Sequence, residues 1–137
     1  LKPERFDNLE VGAKWEPLDG LLATAALYQL DRLNTRAVDP LDPTRTVLTG
    51  EQRSRGLELG LERNITHRWQ ISAGYSWQDA EIRRTTTAAP AGRKVPLVPR
   101  HSLSLWTRYD ATRALGAGLG LIARSKSYAS LSNAVTL

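Results

Sequence analysis

The sequence contains no cysteine and no methionine, one phenylalanine and two histidines in 137 residues. Without cysteine, neither a disulfide framework nor a thiolate metal site is available. His67 and His101 fall in different predicted loops with no metal-ligand spacing, so no metal site is expected. No apolar run approaches the roughly 18 residues that a membrane-spanning helix requires. No secretory leader precedes the first residues, and the lack of Met even at position 1 points to an internal stretch of a longer chain. Scarce phenylalanine also argues against an ordinary globular core, because the apolar share is mostly Leu and Ala at alternating positions.

Catalytic signals are missing too. There is no nucleophile elbow, no phosphate-cradling loop after a strand and no HExxH, so no enzyme and no cofactor are expected. Gly116, Gly118 and Gly120 imitate a nucleotide fingerprint, but they recur every second residue along one strand face. Small residues there let a neighbouring backbone or domain come close. The formal net charge is +5. Its basic residues fall in predicted loops rather than along one helix or groove, which argues against a nucleic-acid partner.

What is present is alternation. In GEQRSRGLELGLERNITHRWQISAGYSWQDAEI, Leu57, Leu59 and Leu61 alternate with Glu58, Gly60 and Glu62. Trp69, Ile71, Ala73, Tyr75 and Trp77 then alternate with Gln70, Ser72, Gly74, Ser76 and Gln78. A period of two predicts two strands, apolar on one face and polar on the other, joined by a turn at Asn64–His67. Before them, Leu9, Val11, Ala13 and Trp15 oppose Glu10, Gly12, Lys14 and Glu16, and a Pro17–Gly20 turn follows. The next strand, about Leu21 to Leu33, is the least regular. Leu22, Thr24, Ala26, Tyr28 and Leu30 are assigned to its apolar face and Gln29 and Asp31 to the polar one, which leaves Leu21 and Leu27 misplaced. Its Ala-rich start also permits a helix.

Downstream, Leu103, Leu105, Thr107 and Tyr109 oppose Ser102, Ser104, Trp106 and Arg108, and Leu115, Ala117, Leu119, Leu121 and Ala123 oppose Gly116, Gly118, Gly120 and Arg124. The fold class is therefore all-β, an antiparallel meander of about six long strands. Long connections are expected at Asn34–Gln52, which holds Asp39-Pro40 and Asp42-Pro43, and at Arg83–Pro99. Short turns alternate with these loops and begin at 17, 64 and 111, a constant 47 residues apart. Charges in mid-strand are expected on the polar face alone (Glu10, Lys14, Asp31, Glu58, Arg108). One-sided alternation also fits a soluble sheet. Six strands of roughly ten residues, against a usual 5–6, with no helix to cover them, favour part of a transmembrane β-barrel.

LKPERFDNLEVGAKW, DGLLATAALYQLDRLNT, GEQRSRGLELGLE, AGYSWQDAEI and VPLVPRHSLSLWTRYD together resemble the barrel of TonB-dependent siderophore receptors, over essentially the whole chain. That resemblance implies a barrel of about 22 strands around a separate plug domain. Residues 1–137 would supply six late strands, with plug, TonB-binding segment and terminal strands lying outside them. It further implies a receptor in the cell outer membrane of a Gram-negative bacterium that transports a ferric siderophore and is energised through TonB. A passive porin or a purely structural barrel would share the strand pattern.

On this reading Trp15, Tyr28, Trp69, Trp77 and Tyr109 form an interfacial girdle. Glu58, Trp106 and Arg108 face the lumen and the plug. Arg53 and Arg55, at apolar parity near a strand end, would anchor in the headgroup layer. Arg83, Arg84, Arg93 and Lys94 lie in a loop without acidic residues, followed by Arg100. Such a loop would attract an anionic ferric siderophore, bind lipopolysaccharide phosphates, or be simply solvated. The isolated six-strand sheet, with two bare edges and an apolar face, is expected to aggregate in water.

Overall fold

Leu, Val and aromatic side chains at every second position favour extended backbone, and the chain adopts it in six strands. The computed structural model describes residues 3–38, 42, 44–84 and 90–137. Six strands follow in order: β1 Arg5–Leu18, β2 Leu21–Val38, β3 Thr46–Thr66, β4 Trp69–Ile82, β5 His101–Asp110 and β6 Gly116–Arg124. They form one antiparallel sheet in sequence order, β1-β2-β3-β4-β5-β6, as expected. β2 is a strand from its first residue, so the Ala-rich start does not become helical.

Register decides which side chains share a face, because residues paired across an antiparallel ladder point the same way. Val11 pairs with Leu27, Leu27 with Leu57 and Leu57 with Trp77. Ala13, Ala25, Leu59, Tyr75, Leu103 and Ala123 form a parallel row. These rows build one apolar face across all six strands.

The same register corrects β2. Leu21, Ala23, Ala25 and Leu27 lie on the apolar face, while Leu22, Thr24, Ala26, Tyr28 and Leu30 lie opposite, beside Glu62, Gly60, Glu58, Gly56 and Ser54. An error of one residue in parity inverts every side chain of a strand. Tyr28 misled the reading: it suits the polar face because its hydroxyl donates to Gln78 Oε1 at 3.2 Å. Gly56 clears its place, since a Cβ there would lie 2.8 Å from the ring. Asp31 moves in the opposite sense, to the apolar parity, where it pairs with Arg53.

Boundaries also differ from expectation. β2 and β3 run to 18 and 21 residues, well past the expected loop edges at Asn34 and Gln52. Irregularities around Asn34 (φ 58°) and Gly50 (φ 79°) shift the register and let the ladder continue. Of the two Asp-Pro pairs, Asp39, Pro40 and Pro43 lie outside the described residues, as do Thr85, Thr86 and Thr87. Asp42 accepts hydrogen bonds from the Thr44 amide at 3.0 Å and hydroxyl at 2.7 Å, which hold its carboxyl below the usual range. The tight turns fall at Asp19–Gly20, His67–Arg68 and Ala111–Ala114, so the constant 47-residue interval is not kept. The second turn moved because Asn64 still pairs with Gln70 and Thr66 with Trp69. His101 is the first residue of β5 rather than a loop residue.

Almost no core exists in the usual sense. Leu9, Trp15 and Leu119 are 75%, 68% and 73% exposed. Among the described residues the buried apolar side chains are Ala80, Ile82 and Leu131, all at the long-loop end.

Candidate functional site

The long-loop end is where chemistry gathers. β4 passes Trp77 and carries Asp79 and Glu81 on the apolar parity, opposite Arg55 and Arg53 of β3. Residues 90–100 then fold back along β4. Gly92 N donates to Ile82 O at 2.8 Å, Ile82 N to Arg93 O at 2.8 Å, and Val95 N to Ala80 O at 3.0 Å. This places Lys94 Nζ 2.5 Å from Asp79 Oδ1 and 3.8 Å from Glu81 Oε2. Arg100 Nη2 and Arg55 Nη2 lie 3.9 and 4.0 Å from the same Asp79 carboxylate. Arg83 donates to Glu81 Oε1 at 2.8 Å. Arg53 grips Asp31 with two bonds, at 2.6 and 3.1 Å.

The predicted basic loop is thus not an open cationic surface. Three of its five candidates, Arg83, Lys94 and Arg100, are ion-paired with acidic residues of β4. Arg93 turns to the backbone carbonyls of Leu131 and Ser132. Arg84 is exposed. Sequence reasoning counted Asp79 and Glu81 with the strand, so their neutralising role was missed. The signal was their parity with Arg53 and Arg55. Arg55 and Arg100 retain open guanidinium edges, with side chains 61% and 60% exposed.

The polar face carries Glu10, Lys14, Glu58, Glu62, Arg108 and Arg124, as register requires. Glu58, Trp106 and Arg108, the plug-facing candidates, all lie on it. Arg108 Nε donates to Asp110 Oδ1 at 3.0 Å. The Trp106 indole lies over Gly118 and Gly120, where an added Cβ would come within 2.7 and 2.8 Å of the ring. The glycine series therefore seats a neighbouring side chain rather than a nucleotide. A 550 Å³ hollow beside Trp106 is lined by Glu16, Leu22, Glu62, Asn64, Gln70 and Ser72.

The aromatic residues divide by end. Trp15, Trp69 and Tyr109 stand on the apolar face near the short turns, Trp69 donating to Thr107 Oγ1 at 2.9 Å. Trp77 stands at the other end with Leu57 and His101. Tyr28 is the exception, on the polar face. Tyr75, not singled out beforehand, hydrogen-bonds His101 Nδ1 at 2.9 Å and stacks on its ring.

Residues 1–136 match the family model of the TonB dependent receptor-like β-barrel. The chain belongs to this family. Its six strands are a stretch of TonB-dependent receptor barrel wall, unclosed within these residues. Among similar proteins, the probable TonB-dependent siderophore receptor PiuA of Acinetobacter baumannii is 34% identical over 97% of this chain and 19% of its own length. The catecholate siderophore receptor Fiu of Escherichia coli K12 is 36% identical over 88% of this chain and 16% of its own. The chain thus spans less than a fifth of either relative. The crystal structure of Fiu in its closed form superposes with a TM-score of 0.68 at 31% identity, covering 93% of this chain and 18% of that one. The ferric preacinetobactin receptor BauA of Acinetobacter baumannii gives 0.78 at 22% identity, over 99% of this chain and 21% of that one, a likeness of fold alone.

Proposed function

We propose that this TonB-dependent receptor barrel segment is part of an outer-membrane transporter that takes up a ferric siderophore with energy delivered through TonB. The observation that carries the reading is the wall itself: six long strands with a band, between the Leu57–Trp77 and Leu61–Ala73 rows, that is apolar on one side and carries its charge on the other, whereas Asp31, Arg53 and Arg55 lie beyond that band on the apolar parity. The names of PiuA, a probable siderophore receptor, and of Fiu, a catecholate siderophore receptor, supply the ligand class. The apolar face meets lipid, and Trp15, Trp69, Tyr109 and Trp77 mark its two rims. The polar face lines a lumen filled by a plug, which Glu58, Trp106 and Arg108 meet. The plug and the TonB-contacting segment are assigned to parts of the protein beyond these residues.

At the outer end the work divides by direction. Arg55 shares the side of Leu57 and Trp77, one pair of residues beyond the rim, about 7 Å along the strand, and the Arg100 guanidinium reaches the Asp79 carboxylate beside it at 3.9 Å. That height and direction suit the phosphates of lipopolysaccharide. Arg84 is the basic candidate left for an anionic ferric siderophore. Uptake of radiolabelled iron as a ferric catecholate complex by iron-starved cells tests the proposal. Loss of uptake on deleting the gene, or on inactivating TonB, is the expected result. Uptake that persists without TonB would instead make the barrel a passive channel.

A further inference from the structure

The segment after β6 forms its own small hairpin. Ser127 and Leu137 exchange backbone bonds at 3.2 and 2.8 Å, and Ala129 N donates to Val135 O at 2.9 Å. The hairpin meets residues 90–100 at Arg93, Lys94 and Leu97. Asn133 Oδ1 accepts from the Lys94 amide at 2.7 Å, and Asn133 Nδ2 donates to the Lys94 carbonyl at 3.0 Å. One side-chain amide thus satisfies both backbone groups of Lys94, as a paired residue does in an antiparallel ladder. Leu97 N donates to Tyr128 O at 2.8 Å, and the Arg93 guanidinium reaches the carbonyls of Leu131 and Ser132. Beneath these bonds Ile82 of β4 and Leu131 of the hairpin are 0% and 3% exposed.

Asn133 is held for this task. Its φ is 54°, in the left-handed region where Asn is among the tolerated residues, and its Nδ2 also donates to Ser130 O at 3.1 Å. The Lys94 backbone, fixed by Asn133, sends its ammonium to Asp79. β4, the loop before β5 and the hairpin after β6 are therefore joined through two adjacent residues, Arg93 and Lys94.

We infer that Asn133 is a positioning residue that locks two outer connections into one element, so that residues 90–100 and 127–137 open and close together. Arg93 then belongs to the joint and does not reach for ligand. This deepens the uptake reading by naming which outer residues move as a unit. Its test uses no ligand, so it stands or falls apart from that reading.

Hydrogen exchange of the full-length receptor in lipid nanodiscs provides the test, with Asn133→Gly as the variant. Glycine keeps the positive φ without strain and removes only the amide side chain. The expected result is at least tenfold faster exchange at both the Lys94 and Leu97 amides, with Tyr75 and Leu103 in the ladder unchanged. Faster exchange at Lys94 alone would overturn the inference, because Leu97 is bonded to the hairpin and not to Asn133. Unchanged exchange at both amides would overturn it as well. If the ladder itself loses protection, Asn133→Asp is read by the same two amides. That variant keeps the acceptor for Lys94 N and drops the donor to Lys94 O, so Leu97 is the amide expected to exchange faster, and unchanged exchange there overturns the inference.

Discussion

The two ends of this sheet are built on different terms. At the short-turn end, β1–β2, β3–β4 and β5–β6 close through compact turns, and the residues around those turns are largely exposed. At the long-loop end lie all the buried residues among those described: Thr35, Gln52, Gly56, Asp79, Ala80, Ile82 and Leu131. The ion pairs centred on Asp79 and the docked hairpin lie there too. Between the ends, the apolar band has no protein partner among the described residues. On the proposed function, lipid on one side and a plug on the other complete the burial of this wall. Its own tertiary contacts therefore concentrate where the strands emerge into water and the loops can fold back on them.

The largest expected effect lies in the band that separates the ends. Leu59→Arg in the full-length receptor should cost about 2–4 kcal/mol, whereas Glu58→Arg, one residue away on the polar face, should cost far less. Denaturant titration of folding into lipid vesicles measures both, and equal costs would mean that the faces are misassigned.

Next comes the contrast between ends. Asp79→Asn leaves Lys94, Arg55 and Arg100 gathered around a neutral group and should destabilise residues 90–100 by about 2 kcal/mol. Arg63→Ala, exposed near the short turns, should change stability by less than about 0.5 kcal/mol. Comparable losses at both positions would abolish the distinction.

Tyr28→Phe is smaller, about 1 kcal/mol, from losing the bond to Gln78. A nitroxide at Leu27→Cys should be relaxed by oxygen in lipid, and one at Tyr28→Cys should be shielded from it. The reverse pattern would restore Tyr28 to the girdle.

The slightest effect concerns Asp42. Its carboxyl is held low chiefly by the Thr44 hydroxyl, then by the Thr44 amide. Thr44→Val should move its titration upward toward the ordinary value, as followed by carboxyl NMR shifts. Because the folded pKa is lowered, any stability it adds is present above the ordinary carboxylate pKa and fades as pH falls through the folded one.

Much of this was legible in the residues. Alternation in β1, β3, β4, β5 and β6 assigned their faces correctly, and the words GEQRSRGLELGLE and VPLVPRHSLSLWTRYD carried the family. The site was less legible. Arg83, Lys94 and Arg100 look like a bare cationic loop only until the acids of β4 are placed beside them.

A period of two is local: each strand announces its own alternation, and the sequence by itself determined an all-β meander with one apolar and one polar face. Which face a weakly patterned strand presents is not local. β2 took its orientation from Leu57, Leu59 and Leu61 on its neighbour, and from a Tyr28–Gln78 bond spanning 50 residues. The Lys94–Asp79 pair spans 15 residues and the Lys94–Asn133 joint 39, so both exist only once the strands have set their ends side by side. Tertiary structure decided those contacts because a hydrogen bond or ion pair depends on distance in space, and only the completed ladder fixes that distance.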